Sequence, residues 1–358
     1  MGVYIFTLFL IAGVFYAIPV KKISCTISVC LMWFITAFRN INVGIPDARG
    51  TYLDLFNNLR SQNFFSVISN PFAEGWLFNV LSKIIQIISI GNYRFYLIIL
   101  SAIFYTCLGI FIYKYSSNAL ISCIIFFCSY LLFTFSMLRQ FTAICILLLF
   151  SFSYLKQRRF IAFIVSVILA GLIHSTSFIF LIAYPICFYL TYNIIFLFFT
   201  ILLSIFGTLF SNTILTLLNL IPMLRYRMDL AESGIYSLNT NDTGYGTLLM
   251  LIIFLIFCFL ILKKRISYQD NILLLLFSVG IIFQGWSHVI VEFYRVAWYF
   301  TIFLIILLPS CISKINDSLI KKSIFICIFI FYLFYFIYYV VPSGQGLPYN
   351  FYWEIYGL

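Results

Sequence analysis

The chain has 358 residues, of which 64% are hydrophobic, 21% aromatic and only 9% charged, and its formal net charge is +11. That balance excludes a soluble globular domain, and the apolar runs recur too often for one or two anchors, so the chain reads as a polytopic membrane protein. The ten cysteines stand singly in apolar stretches without metal-ligand spacing, which makes them small membrane hydrophobes rather than disulfide or metal partners.

A membrane span needs about 20 apolar residues. In chain order the sequence offers about twelve such runs, within limits of 10 and 13: residues 2–19, 23–38, 93–113, 119–135, 140–155, 160–173, 176–190, 194–220, 246–262, 271–287, 295–310 and 323–341. The first run lacks a basic leader and a small-residue cleavage site, and Lys21 and Lys22 follow it, so it reads as a span. Residues 76–90 are left out of the count. Asn79, Ser82, Lys83 and Gln86 recur there on one helical face, which suits an amphipathic or re-entrant helix at the interface. The expected fold is therefore an all-α polytopic integral membrane protein, one domain over 1–358. Its loops 39–92 and 221–245 and its tail 342–358 fall on the outer side.

Sidedness follows from the lysines. Lys21, Lys22, Lys114, the "KQRR" at 156–159, the "KKR" at 263–265, Lys314, Lys321 and Lys322 fall on one side, which the positive-inside rule makes cytoplasmic. That side holds nine lysines and three arginines against Asp270 and Asp317. The other holds Lys83 and eight arginines against eight acids, together with His174 and His288. A polar basin facing the outer leaflet is expected. Arginine suits a phosphate-binding basin, because its planar fork binds phosphate bidentately and stays charged. Arg139, in "SMLRQF" at 136–141, lies in an otherwise apolar run, where a cation costs about 2.5–3.5 kcal/mol on insertion scales and calls for an anionic partner.

No phosphate-cradling GxxxxGK[ST] or GxGxxG loop is present, nor a DxD pair for a nucleotide-bound metal. A cytoplasmic nucleotide sugar is thus disfavoured. A lipid phosphate or pyrophosphate fits, with no cofactor, no metal and no nucleic acid expected.

Five stretches then follow one another in order: "FRNINVGIPDARGTYLDLF" at 38–56, "EGWLFNVLSKII" at 74–85, "LRQFTAICILLL" at 138–149, "GLIHSTSFIFL" at 171–181 and "EFYRVAWYF" at 292–300. Together they resemble the EpsG-like branch of the Wzy oligosaccharide repeat-unit polymerases, which extend O-antigen, capsule and exopolysaccharide. The family's usual Arg-VG-x-Asp pattern reads "VGIPD" here, with one extra residue, and its Glu-Pro-Gly reads "EGW". The resemblance implies a GT-C-like membrane glycosyltransferase of the bacterial cytoplasmic membrane, active at its outer face. Undecaprenyl-pyrophosphate-linked glycans would be its substrates, and a chain-length regulator and a flippase its partners.

Such a reaction needs the developing pyrophosphate charge stabilised by fixed donors, and one general base to take the acceptor hydroxyl proton. Arg139 with Gln140 is the first candidate for phosphate binding, followed by Arg39 and Arg295, each at an outer helix end. His174, before Ser175 and Thr176, is a base, a phosphate donor or a packing histidine. Asp47 and Glu74 are candidate bases, or internal partners of Arg49 and Arg60. Arg225 and Arg227, with Asp229 and Glu232, form a mixed-charge loop suited to glycan contact. The aromatic tail, with Tyr349, Phe351, Tyr352, Trp353 and Tyr356, reads first as an interfacial belt and second as a sugar-stacking surface. A flippase of lipid-linked oligosaccharide and a ligase are the rival functions. A flippase should show internal repeats, and none is found.

Overall fold

The computed structural model describes residues 1–71, 73–211, 213, 216, 244–290 and 292–356. The named elements among the described residues are all helices; Arg39 and Phe351 form one isolated antiparallel bridge. Among them, seven helices are long and apolar enough to cross a membrane: Lys21–Phe38, Tyr93–Tyr115, Leu138–Lys156, Tyr245–Leu262, Tyr268–Trp286, Phe293–Ser313 and Ser318–Ser343. The other five runs read as spans form helices of 10–17 residues: Gly2–Ala17, Ala119–Tyr130, Phe160–Ile173, Ser175–Tyr189 and Ile194–Leu209. The expected loop at 221–245, with Arg225 and Arg227, lies outside the described residues apart from its last two positions.

Two compact units divide the chain, Met1–Leu181 with Ile315–Leu358, and Ile182–Lys314. In the first, α1 (Gly2–Ala17) and α2 (Lys21–Phe38) are followed by the short α3 (Thr51–Arg60) and α4 (Phe64–Ile68). Next come α5 (Trp76–Ile88), α6 (Tyr93–Tyr115) and α7 (Ala119–Tyr130). Helices α2 and α6 pack antiparallel. Lys21 donates to the Ser116 carbonyl at one end (2.6 Å), and at the other Arg94 donates to the Arg39 carbonyl (2.6 Å). The lysine and arginine ends inferred from the sequence are therefore opposite ends of one helix pair.

Helix α5 carries its polar stripe inward. Lys83 Nζ donates to the Leu59 carbonyl (2.6 Å) and to Gln86 Oε1 (3.0 Å), and Gln86 Nε2 donates to the Phe56 carbonyl (2.6 Å). Ser82 and Tyr96 share a hydroxyl–hydroxyl bond of 2.9 Å. Leu59 lies in the last turn of α3, at the negative end of the helix dipole, where a cation is favoured. Ile84, Ile87 and Ile88 face outward instead. Lys83→Met keeps the apolar stem and deletes these bonds. It is expected to destabilise the protein by about 1.5–3 kcal/mol, read as a lower unfolding temperature of the detergent-solubilised protein.

Beyond α7, a 3-10 turn (Leu132–Phe135) leads to α8 (Leu138–Ile146). A π segment (Leu147–Ser151) joins α8 to α9 (Phe152–Lys156), and α10 (Phe160–Ile173) follows. The second unit holds α11 (Ala183–Tyr189), α12 (Ile194–Leu209), α13 (Tyr245–Leu262), α14 (Tyr268–Trp286), α15 (Phe293–Thr301) and α16 (Leu304–Ser313). Gly285 on α14 lies against the Ser204 backbone of α12, where any side chain would collide, and Trp286 donates to the Leu203 carbonyl (3.1 Å). Such close backbone approach is the means by which helices pack tightly in lipid. At the lysine end of this unit Asp270 completes a capping box with Ser267, receives the Ser310 hydroxyl (2.6 Å) and pairs with Lys314. Helix α17 (Ser318–Tyr335) returns to the first unit and packs on α7.

Candidate functional site

Arg139 is the second residue of α8, so its side chain starts beside backbone N–H groups that have no acceptor within the helix. The first turn holds no acidic residue, and the helix continues through the π segment to Lys156. A fixed cation and the positive end of a helix dipole thus coincide, the combination that binds anions. Ser136 anchors the entry: its hydroxyl is buried and donates to the Ile45 carbonyl (2.7 Å).

The surroundings of Arg139 come from three other segments. Its backbone N–H donates to the Tyr52 hydroxyl (3.1 Å), and its guanidinium lies 5.7 Å from the centre of the Phe78 ring. Tyr52 meets Phe78 edge-on at 5.9 Å. Nη1 is 3.8 Å from Glu74 Oε1, and Nε is buried without a hydrogen-bond partner. The Arg139 side chain is 20% exposed and that of Glu74 is 79% exposed, so the cation is held in the protein while the carboxylate is free to swing.

Gly75 makes this convergence possible. Its φ of +64° is a left-handed conformation that side-chain-bearing residues avoid. A Cβ there would stand 3.1 Å from the Ile173 carbonyl oxygen and 3.6 Å from Arg139 Cδ and Nε. Glu74, Arg139 and the end of α10 therefore meet at one point. His174, the next residue, is half-buried; its N–H donates to the Ala170 carbonyl (2.9 Å), and its own carbonyl receives the Ser177 N–H and hydroxyl.

The remaining predicted residues are placed differently. Arg39 is 1% exposed, with Nη1 donating to the Thr36 carbonyl (2.5 Å), Nη2 to the Phe135 carbonyl, and its guanidinium over the Phe135 ring at 4.6 Å. Burial, with Arg94 adding to it, pushes its pKa down to about 10, which leaves it charged at neutral pH. It ties the end of α2 to the turn before "SMLRQF". Asp47 is half-buried in the short 3-10 turn Pro46–Ala48, two residues from the Ile45 carbonyl that Ser136 holds. Gln140 is buried in the first turn of α8. Arg295 belongs to the second unit, at the start of α15, where Nε donates to the Tyr294 hydroxyl (3.1 Å). Arg225 and Arg227 lie outside the described residues.

Tyr52, Gly75 and Phe78 are the residues that the sequence reading did not single out, although all three fall inside the quoted stretches. In the second unit His288, placed on the outer side by the sequence, is not among the candidate site residues. It is 8% exposed, with Nδ1 3.1 Å from the Gly285 carbonyl, its ring 4.1 Å from that of Tyr245, and Nε2 buried without a hydrogen-bond partner.

The sequence model of the EpsG family matches residues 22–351. Comparisons with curated proteins and with solved structures gave no match.

Proposed function

The chain belongs to the EpsG family of Wzy-like polymerases, and from that premise we propose that it polymerises undecaprenyl-pyrophosphate-linked repeat units into O-antigen, capsular or exopolysaccharide. The reaction takes place at the outer face of the bacterial cytoplasmic membrane, within a GT-C-like fold of about twelve spans. The observation that carries this reading is the meeting of Arg139, the α8 N-terminus and Glu74 at Gly75. Four of the five stretches that mark the resemblance contribute to it.

In this reading the pyrophosphate of the donor binds the Arg139 fork, with the positive end of the α8 dipole behind it. The acceptor hydroxyl of the next repeat unit forms a bond to the anomeric carbon of the donor sugar. The bond from that carbon to the pyrophosphate oxygen breaks, and the electron pair leaves on undecaprenyl pyrophosphate. Arg139 and the helix dipole stabilise that charge by preorganised electrostatics. Glu74 takes the hydroxyl proton. In the free protein Glu74 faces Arg139; the more highly charged pyrophosphate replaces it there, and the exposed carboxylate turns to the acceptor. Arg39 holds the site's entrance rather than the substrate, and Tyr52 braces the α8 N-terminus. His174 stands by for phosphate contact, and Asp47 is a further carboxylate of the 39–92 segment.

Chromosomal deletion followed by gel analysis of surface glycan tests the reading. Products of a single repeat unit are expected, restored to full length by the intact chain. Polymer retained on lipid would assign the chain to the ligases, and intermediates trapped at the cytoplasmic face would assign it to the flippases.

A further inference from the structure

Helices α8 and α10, with the π segment and α9, enclose a groove of about 860 Å³ that the reaction above does not use. Ile146, Phe150, Val165 and Leu169 line its length, and Arg159 stands at one end. The π segment adds a residue per turn and so shifts the register of the helix against α10. At the end of that segment, Ser151 and Ser166 share a hydroxyl–hydroxyl bond of 2.8 Å that holds it to α10. From Arg159 to Leu169 the groove spans ten residues, or about 15 Å at helical rise. That is half of a hydrocarbon core of about 30 Å, the depth of one leaflet.

Charge identifies the occupant. Arg159 is exposed and follows Lys156 and Arg158. Helices α5, α6, α8 and α9, which pack against α10 or the π segment, carry no carboxylate, and the sequence has none between Glu74 and Asp229. The basic mouth thus has no acidic residue of these elements to offset it. The positive-inside rule places that mouth at the cytoplasmic leaflet, where anionic headgroups gather polybasic segments. We propose that this groove binds an anionic phospholipid of the cytoplasmic leaflet, its acyl chain between α8 and α10 and its phosphate at Arg159.

Native mass spectrometry tests this on the full chain, in detergent with equal amounts of phosphatidylglycerol and phosphatidylcholine. The intact protein is expected to retain phosphatidylglycerol preferentially. Arg159→Gln should lower that preference about fivefold. Ala162→Trp, which fills the groove, should remove both lipids; if it fails to accumulate, Arg159→Gln decides alone. Equal retention of the two lipids, or an unchanged preference in Arg159→Gln, overturns the proposal. So does a polyprenyl phosphate as the retained species, since it would give the groove to a substrate tail.

Discussion

Arg139→Ala is expected to lower the rate of chain extension about 10²–10³-fold, the usual cost of removing one donor that stabilises a leaving charge. Arg139→Lys should be severely impaired as well. It keeps the charge and loses the planar fork, so it cannot hold two phosphate oxygens at once. Lysine also gives up the stacking of a flat guanidinium on Phe78, whose ring centre lies 5.7 Å away. Neither variant should be rescued by the α8 dipole, which supplies only partial charge. Both should accumulate at normal levels, because Arg139→Ala removes a membrane-buried cation and lowers the insertion cost, and Arg139→Lys leaves that cost about the same. The measurement is extension of a lipid-linked repeat unit in membranes, with protein quantified by immunoblot. Normal product length in the lysine variant would reduce Arg139 to a simple charge. Loss of the protein in both variants would make it a structural ion pair with Glu74.

The helices were largely legible from apolar run length and from the basic residues that end them. The run 160–173 coincides with α10, and 93–113 falls two residues short of α6. Less legible were the interruptions. The run 119–135 is finished by a 3-10 turn, and 140–155 contains a π segment, because both depend on tertiary packing that an all-apolar sequence does not record. The polar stripe of α5 was visible, but not its destination. Lys83 and Gln86 meet carbonyls of α3, which lie more than twenty residues earlier in the chain.

Arg39 and Arg139 illustrate the limit at the site. Both are arginines at helix ends in apolar surroundings, and composition treats them alike. Arg39 follows a helix C-terminus and gives Nη1 to the Thr36 carbonyl and Nη2 to the Phe135 carbonyl, whereas Arg139 opens a helix and has Glu74 at 3.8 Å; the Nε of each is buried without a hydrogen-bond partner. Arg39 thereby spends both terminal nitrogens on carbonyls of the fold, which leaves Arg139 as the arginine proposed to meet the donor phosphate. That distinction could have been drawn from the apolar runs alone, by asking whether each arginine ends or begins a helix. The pairing of Glu74 with Arg139 could not, because it rests on the left-handed conformation of Gly75 and its closeness to Ile173.

Glu74→Gln is expected to reduce turnover about 10²–10⁴-fold, the range typical of a lost general base, while donor binding is kept or strengthened. The substitution preserves size and removes only the capacity to take a proton and the negative charge. With Glu74 uncharged, Arg139 loses the internal anion 3.8 Å from Nη1 and meets the pyrophosphate without competition. A fall in kcat at an unchanged or lower KM for the lipid-linked donor is therefore the signature of a base that alternates between the arginine and the acceptor. Because the Glu74 side chain is 79% exposed, no loss of folding should accompany it. The parallel variant His174→Ala serves as the comparison: if His174 contacts phosphate, its loss should weaken donor binding as well as turnover. Should Glu74→Gln instead raise KM and leave kcat intact, Glu74 would be a substrate-binding group and the proton would have to go elsewhere, with Asp47 as the next carboxylate to replace. A pH profile separates these outcomes further. The acid limb of the kcat profile should vanish in Glu74→Gln if Glu74 is the base, and persist if the proton goes to another group.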